Sequence, residues 1–133
     1  MSNLRRGDYA VAIFIKSPEG IPLVMDPKKP APLYWKFVGG RSELGEDAIG
    51  AARREICEEL GLQLKEKDLK LLFEENRENH KFVFFGAELA SLNGMLKNGN
   101  EGEEIKTFSL EQIKQMPDFM PNHKMILQQL KII

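Results

Sequence analysis

A single cysteine, Cys57, is all the thiol this chain carries, so an internal disulfide is impossible and no cysteine-based zinc cluster can form. A reducing cytoplasm suits that composition best. Long apolar runs are missing as well. The longest, Tyr9 to Ile15, falls far short of the roughly 20 residues a spanning helix needs, and no membrane association is expected. It follows Asp8 and has no convincing cleavage site behind it, which argues against a secretory signal. There is no excess of either charge. With 19 basic and 20 acidic residues the net charge is -1, so no global field recruits nucleic acid or an anionic membrane. An anionic ligand must be met locally, by metal and a few Lys or Arg. The two histidines, His80 and His123, lack the partners of a triad or a metal cluster and are expected in solvent.

What is present is an ordinary globular composition, 42% hydrophobic and 29% charged over 133 residues, which suits one domain, 1–133, with a single core. Asp8 to Lys16 reads as a buried strand, and Ser17-Pro18-Glu19-Gly20 as a turn returning the chain into a second strand, Ile21 to Met25. Leu33 to Val38 is a short aromatic strand delivering the chain to Gly39-Gly40. From Glu46 to Leu60 the period becomes helical, with Ile49, Ala52, Ile56 and Leu60 as the apolar stripe and Gly61 beyond its end. Leu69 to Asn76, Lys81 to Leu89 and Ile105 to Phe108 read as further strands, and the glycine- and asparagine-rich stretch before the last of them as a long mobile connection. Ser109 and Gln112 form a capping box for a short helix, and Pro121 opens a final one.

On the central helix, Glu55, Glu58 and Glu59 stand at i, i+3 and i+4 and therefore share one face. Like charges at that spacing repel by a few tenths of a kcal/mol per pair unless a cation sits among them. A hard divalent ion held by carboxylate oxygens is the natural candidate.

The pattern Gly40-x5-Glu46-x7-Arg54-Glu55-Ile56-x-Glu58-Glu59-x-Gly61-Leu62 matches, at every defined position, the box that marks Nudix hydrolases. The box covers 23 of the 133 residues, and the order of elements around it is similar to that family through most of the chain. The resemblance implies an α/β protein with a mixed β-sheet sandwiched between α-helices. It also implies an enzyme that attacks a phosphoric anhydride with water and uses Mg2+, or Mn2+, to offset the charge of the phosphates. The expected substrate is a nucleoside triphosphate, damaged ones included, cleaved to a monophosphate and pyrophosphate. The alternatives are ADP-ribose, nucleotide sugars or dinucleoside polyphosphates, or a non-catalytic nucleotide-sensing domain. The partner is thus a free nucleotide rather than a nucleic acid, and a homodimer is compatible with the family.

By the same resemblance Glu55, Glu58 and Glu59 are metal-binding and catalytic positions, with Glu58 the first choice of base and the Gly40 carbonyl an added ligand. Of the loop acids Glu101, Glu103 and Glu104, Glu101 is preferred as a further ligand, because its spacing to Phe108-Ser109-Leu110 resembles that of MutT-type members. Arg41 is a phosphate contact. Trp35, with Tyr34, either stacks on a base or belongs to the core. Asn122 either reads the base, as in MutT-type enzymes, or caps the last helix. Glu46 and Arg54 are expected to pair and fasten the loop to the helix. Cys57 reads as a small buried apolar residue. One departure from the family is Val38, where many members carry Pro.

Overall fold

The computed structural model describes residues 6–133. Its strands are β1 (Arg6–Lys16), β2 (Ile21–Met25), β3 (Lys36–Glu43), β4 (Lys70–Asn76), β5 (Lys81–Glu88) and β6 (Glu104–Phe108), and its helices α1 (Ala48–Leu60), α2 (Leu110–Gln115) and α3 (Pro121–Gln129). The strands form one sheet in the order β4-β5-β1-β3-β2-β6. Only β1 and β5 run parallel; every other neighbouring pair is antiparallel.

Alternation along the strands divides the core in two. Val11, Ile13 and Ile15 of β1 join Val38, Val83 and Phe85 beneath α1, which contributes Ala51, Ala52, Ile56 and Leu60. Ala12 and Phe14 point the other way, with Leu23, Phe37 and Phe84, and are covered by Ile113 of α2 and Ile126 and Leu127 of α3. The sheet is therefore sandwiched between helices, as the resemblance implied.

Three differences from expectation have local causes. β3 does not stop at Val38 but continues through both glycines to Glu43, with Gly39 and Gly40 paired to Ala12 and Val11 of β1. A side chain on Gly39 would run into the Val11 carbonyl, so glycine here permits a close strand approach rather than ending the strand. α1 begins at Ala48 rather than Glu46, because Asp47 Oδ1 accepts the Gly50 N–H at 2.7 Å and caps the helix. Cys57 is exposed, not buried. The buried face of α1 runs through Ile56 and Leu60, and a step of one residue from Ile56 turns Cys57 outward.

The α1 terminus also anchors the connection after β5. Gly61 sits in the left-handed region at φ 72° and donates to the Cys57 carbonyl at 2.9 Å. Leu96 packs over Gly61, where a Cβ would collide with it, and the Leu96 N–H reaches the Leu60 carbonyl at 2.9 Å. With Leu92 buried, the stretch expected to be a loose connection is tied to the helix it passes.

Ile56→Ala, which empties space beneath α1, should cost about 2–5 kcal/mol in denaturant unfolding, whereas Cys57→Ser should stay within about 0.5 kcal/mol of the parent. Native protein should also react with a thiol reagent without denaturant; protection of Cys57 until unfolding would contradict its outward placement.

Candidate active site

Arg54 organises the acidic face of α1. Its Nε and Nη2 engage the two Glu46 oxygens at 2.9 Å each, a two-pronged pair that ties the β3–α1 loop to the helix as expected from the sequence. Nη1 reaches Glu55 at 3.0 Å and the two Glu58 oxygens at 3.0 and 3.2 Å. Nη2 also donates to the Arg41 carbonyl at 3.2 Å, and Glu43 lies 3.0 Å from Nε. Surrounded by carboxylates, the guanidinium is held firmly protonated, chiefly by Glu46, which in return is held below the ordinary carboxyl range.

Glu59 has no such partner. It is 7% exposed. Burial, then the hydrogen bond to Glu55 and that neighbour's charge, push its carboxyl up to about 10, against a small opposing pull from Lys36. Two acidic side chains pressed together in a half-dry site are stable only with a proton or another cation between them. Their oxygen-only donor set suits a hard divalent ion. Gly40 fits the same purpose, since a Cβ there would come within 2.8 Å of the Glu55 carboxylate. Glu58 is turned toward Arg54, and among the described residues no three acidic or imidazole groups already converge as a ready cage.

The connection before β6 brings its acids to this face. Glu101 and Glu103 line a cavity of about 340 Å³ with Gly39, Gly40, Glu55, Glu58 and Glu59. Glu103 accepts the Glu101 N–H at 3.0 Å, and its charge is the one from this loop that acts on Glu59. Glu104 is instead exposed on β6, opposite Met25. Lys28 Nζ donates to the Glu101 carbonyl at 3.0 Å, and the Asn100 N–H approaches the Glu58 carbonyl at 3.4 Å.

The residues proposed to touch substrate separate. Asn122 lines a second cavity, of about 260 Å³, with Lys36, Gly39, Gly40, Arg77 and His123. It does not cap α3: the N-cap position is Met120, which makes no side-chain cap bond, so the capping role is removed. Trp35 goes to the core, 6% exposed, with its ring edge-to-face on Phe108 at 5.3 Å and Lys106 over it. Its own N–H donates to the Asp118 carbonyl and its carbonyl accepts the Met120 N–H, both at 2.8 Å. Arg41 directs its Nε to the Gly7 carbonyl at 3.0 Å and lines neither cavity. Tyr34 borders a third hollow, of about 310 Å³, with Lys29, Pro30 and Lys36.

His123 is not in solvent. Its ring lies on Phe37 at 5.4 Å and against Phe119, and its Nδ1 accepts the Phe37 N–H at 3.2 Å. Burial, assisted by the charges of Lys36 and Arg77, depresses it to about 4, so it stays a neutral wall of the cavity with its proton on Nε2. His80 remains partly exposed, bonded to Asn79. Sequence reasoning missed Lys36, Lys29 and Arg77. Only the position of Lys36, one residue before the buried Phe37 and close to the glycine pair, hints at its place. A larger hollow, about 560 Å³, lies elsewhere, among Phe14, Lys67, Leu72 and Ile132, remote from the glutamates.

The sequence pattern of the NUDIX domain matches residues 7–130. Over 93 residues the chain is 28% identical to the human protein 8-oxo-dGDP phosphatase NUDT18; the match takes in 70% of this chain but only 28% of that relative's length. Among solved structures, a MutT described for Aliivibrio salmonicida and Vibrio cholerae superposes with a TM-score of 0.72 at 21% identity, covering 94% of this chain and 98% of that one. A bifunctional NMN adenylyltransferase/ADP ribose pyrophosphatase from Francisella tularensis, complexed with AMP and a manganese ion, also gives 0.72 at 20% identity, over 96% of this chain and 42% of that one. At these identities the structures share the fold.

In divalent-free buffer the raised Glu59 carboxyl favours folding fully below its ordinary value of 4.5 and loses that contribution as pH climbs through about 10. Glu59→Gln should therefore melt above the parent, by a margin that widens with pH, and manganese should narrow the gap by stabilising the parent alone. Parallel melting-versus-pH curves would reject this account of Glu59.

Proposed function

This chain belongs to the Nudix family, and from that premise we propose that it hydrolyses a nucleoside triphosphate to a nucleoside monophosphate and pyrophosphate, with oxidised purine nucleotides among its substrates. The observation that carries this reading is the adjacency of two cavities that share part of their walls. Lys36, Gly39 and Gly40 line both the hollow that holds Glu55, Glu58, Glu59, Glu101 and Glu103 and the one bordered by Asn122. A nucleotide can lay its phosphates against the first and its base in the second.

The chemistry is the addition of water to a phosphorus and cleavage of the P–O bond to the bridging oxygen, which leaves on pyrophosphate. Magnesium, or manganese in its place, bound by Glu55, Glu59 and the Gly40 carbonyl with Glu101 or Glu103, would offset the phosphate charge and activate the water. Glu58 accepts the water's proton in this reading, and Arg54, at 3.0 Å, keeps that carboxylate oriented. Arg54 also holds Glu55 and Glu46, so the ligand face and the loop that frames it are positioned by one cation. Asn122 supplies an amide that can both donate to and accept from a base edge. The substrate is a free nucleotide, and the lone thiol suits a cytoplasmic setting.

A second reading comes from the human relative, named for 8-oxo-dGDP: a nucleoside diphosphate, cleaved to monophosphate and inorganic phosphate. Product analysis separates the two. With magnesium and a panel of nucleoside tri- and diphosphates, oxidised purines, ADP-ribose, nucleotide sugars and dinucleoside polyphosphates, pyrophosphate release from a triphosphate is expected. Glu58→Gln should lower kcat by roughly 10²- to 10⁴-fold, and Asn122→Ala should flatten the ranking of bases. Phosphate release from diphosphates alone would favour the second reading. Turnover confined to ADP-ribose or a dinucleotide would replace both, and tight nucleotide binding without turnover would make this a sensing domain.

A further inference from the structure

Lys36 begins β3 opposite Val24 of β2. Its neighbours Trp35 and Phe37 both enter the core beneath α2 and α3, so strand alternation carries Lys36 to the side of the sheet that faces α1 and its glutamates. Its side chain borders three adjoining hollows: the glutamate cavity, the Asn122 cavity and the one with Tyr34. Its positive charge acts on both Glu59 and His123, one group from each of the first two hollows. Lys29, from the loop between β2 and β3, borders the glutamate cavity and the Tyr34 hollow. Neither lysine belongs to an ion pair among the described residues, whereas Arg54 is saturated by four carboxylates and Lys28 is spent on the Glu101 carbonyl. Arg41, the cation expected to meet phosphate, is engaged with Gly7.

We propose that Lys36 is the residue that holds the phosphate chain of the nucleotide where it passes from the base cavity to the glutamate face, and that Lys29 receives its far end. This assignment rests on the reading of the cavities as a nucleotide site. A phosphate chain has no planar shape to match, and a compact ammonium with three donors can follow it as bonds rearrange. The two lysines meet it from the β2–β3 side, while the acids of α1 need a cation before they can approach it. Each phosphate oxygen bound to an ammonium keeps the chain in register, so that the attacked phosphorus stays opposite Glu58. Lys36 also discriminates by length: a chain short enough to touch only Lys36 gains one such contact, and a longer one gains the Lys29 contact as well.

The test uses the full chain and the variants Lys36→Met, Lys36→Arg and Lys29→Met, with circular dichroism and melting to show that each is folded. Calorimetric titration of inorganic pyrophosphate in the presence of manganese should show affinity about tenfold to a hundredfold weaker for Lys36→Met, and near parent values for Lys36→Arg. Affinity for manganese alone should be unchanged or slightly tighter in Lys36→Met, since a competing cation has gone. In turnover, KM should rise by a similar factor and kcat should also fall, because the attacked phosphorus loses its register opposite Glu58, with Lys36→Arg restoring both. Lys29→Met should weaken triphosphate binding more than diphosphate binding and carries the test if Lys36→Met does not fold. Pyrophosphate affinity in Lys36→Met within twofold of the parent would overturn the assignment, as would an equal loss of manganese affinity, or parent protein that binds no pyrophosphate. Lys36-dependent pyrophosphate binding by a parent that hydrolyses nothing would overturn the hydrolase reading instead and leave the lysine assignment standing.

Discussion

The attraction between one guanidinium and the carboxylates around it is the constraint on which the rest of this site depends. Glu43 of β3, Glu46 of the following loop and Glu55 and Glu58 of α1 all reach Arg54, so negative groups from three segments that would otherwise repel one another are held within a few ångströms. Arginine suits this because its planar fork offers five donors and keeps its charge; an ammonium could not satisfy two Glu46 oxygens and the neighbouring acids together. The consequence reaches beyond α1. By bonding Glu46 and the Arg41 carbonyl, Arg54 fixes the loop leaving β3 and, with it, Gly39 and Gly40.

Glu59 shows what happens where that attraction does not extend. It is enclosed next to Glu55 with no guanidinium to oppose it, and it holds a proton well into the alkaline range. One turn of helix thus carries carboxylates in two settings, Glu58 paired with Arg54 and Glu59 enclosed without a cationic partner. This asymmetry gives the face its chemical direction: Glu46 ties the loop to the helix, Glu58 is held in place by Arg54, and the crowding of Glu55 and Glu59 is what a bound cation would relieve.

A second division of labour separates the cations. Arg54, Lys28 and Arg41 are committed to protein oxygens, while Lys36 and Lys29 border open space. Cavity walls built from α1, from β3, from the β2–β3 loop and from the strap over Gly61 converge although they are far apart in the chain. The strap matters because it carries Glu101 and Glu103. Leu96 seated over Gly61 and buried Leu92 turn a polar connection into a support for the acids at its end.

Period and spacing in the amino-acid sequence were enough to determine the central helix, the order of strands and helices, the capping box at Ser109 and the pairing of Glu46 with Arg54, because each depends on interactions between residues close in the chain. The shared face of Glu55, Glu58 and Glu59 follows from helical geometry alone. Tertiary structure decided what contacts between distant segments decide. Val11 of β1 explains why β3 runs through its glycines, and Phe37 and Phe119 take His123 out of solvent. Phe108 and Lys106 claim Trp35 for the core, and Cys57 faces outward because the sheet takes the opposite side of α1. Lys36 was barely legible for the same reason: its nearness to the glycine pair is the one local hint, and the three hollows that it borders are built by elements distant in the chain.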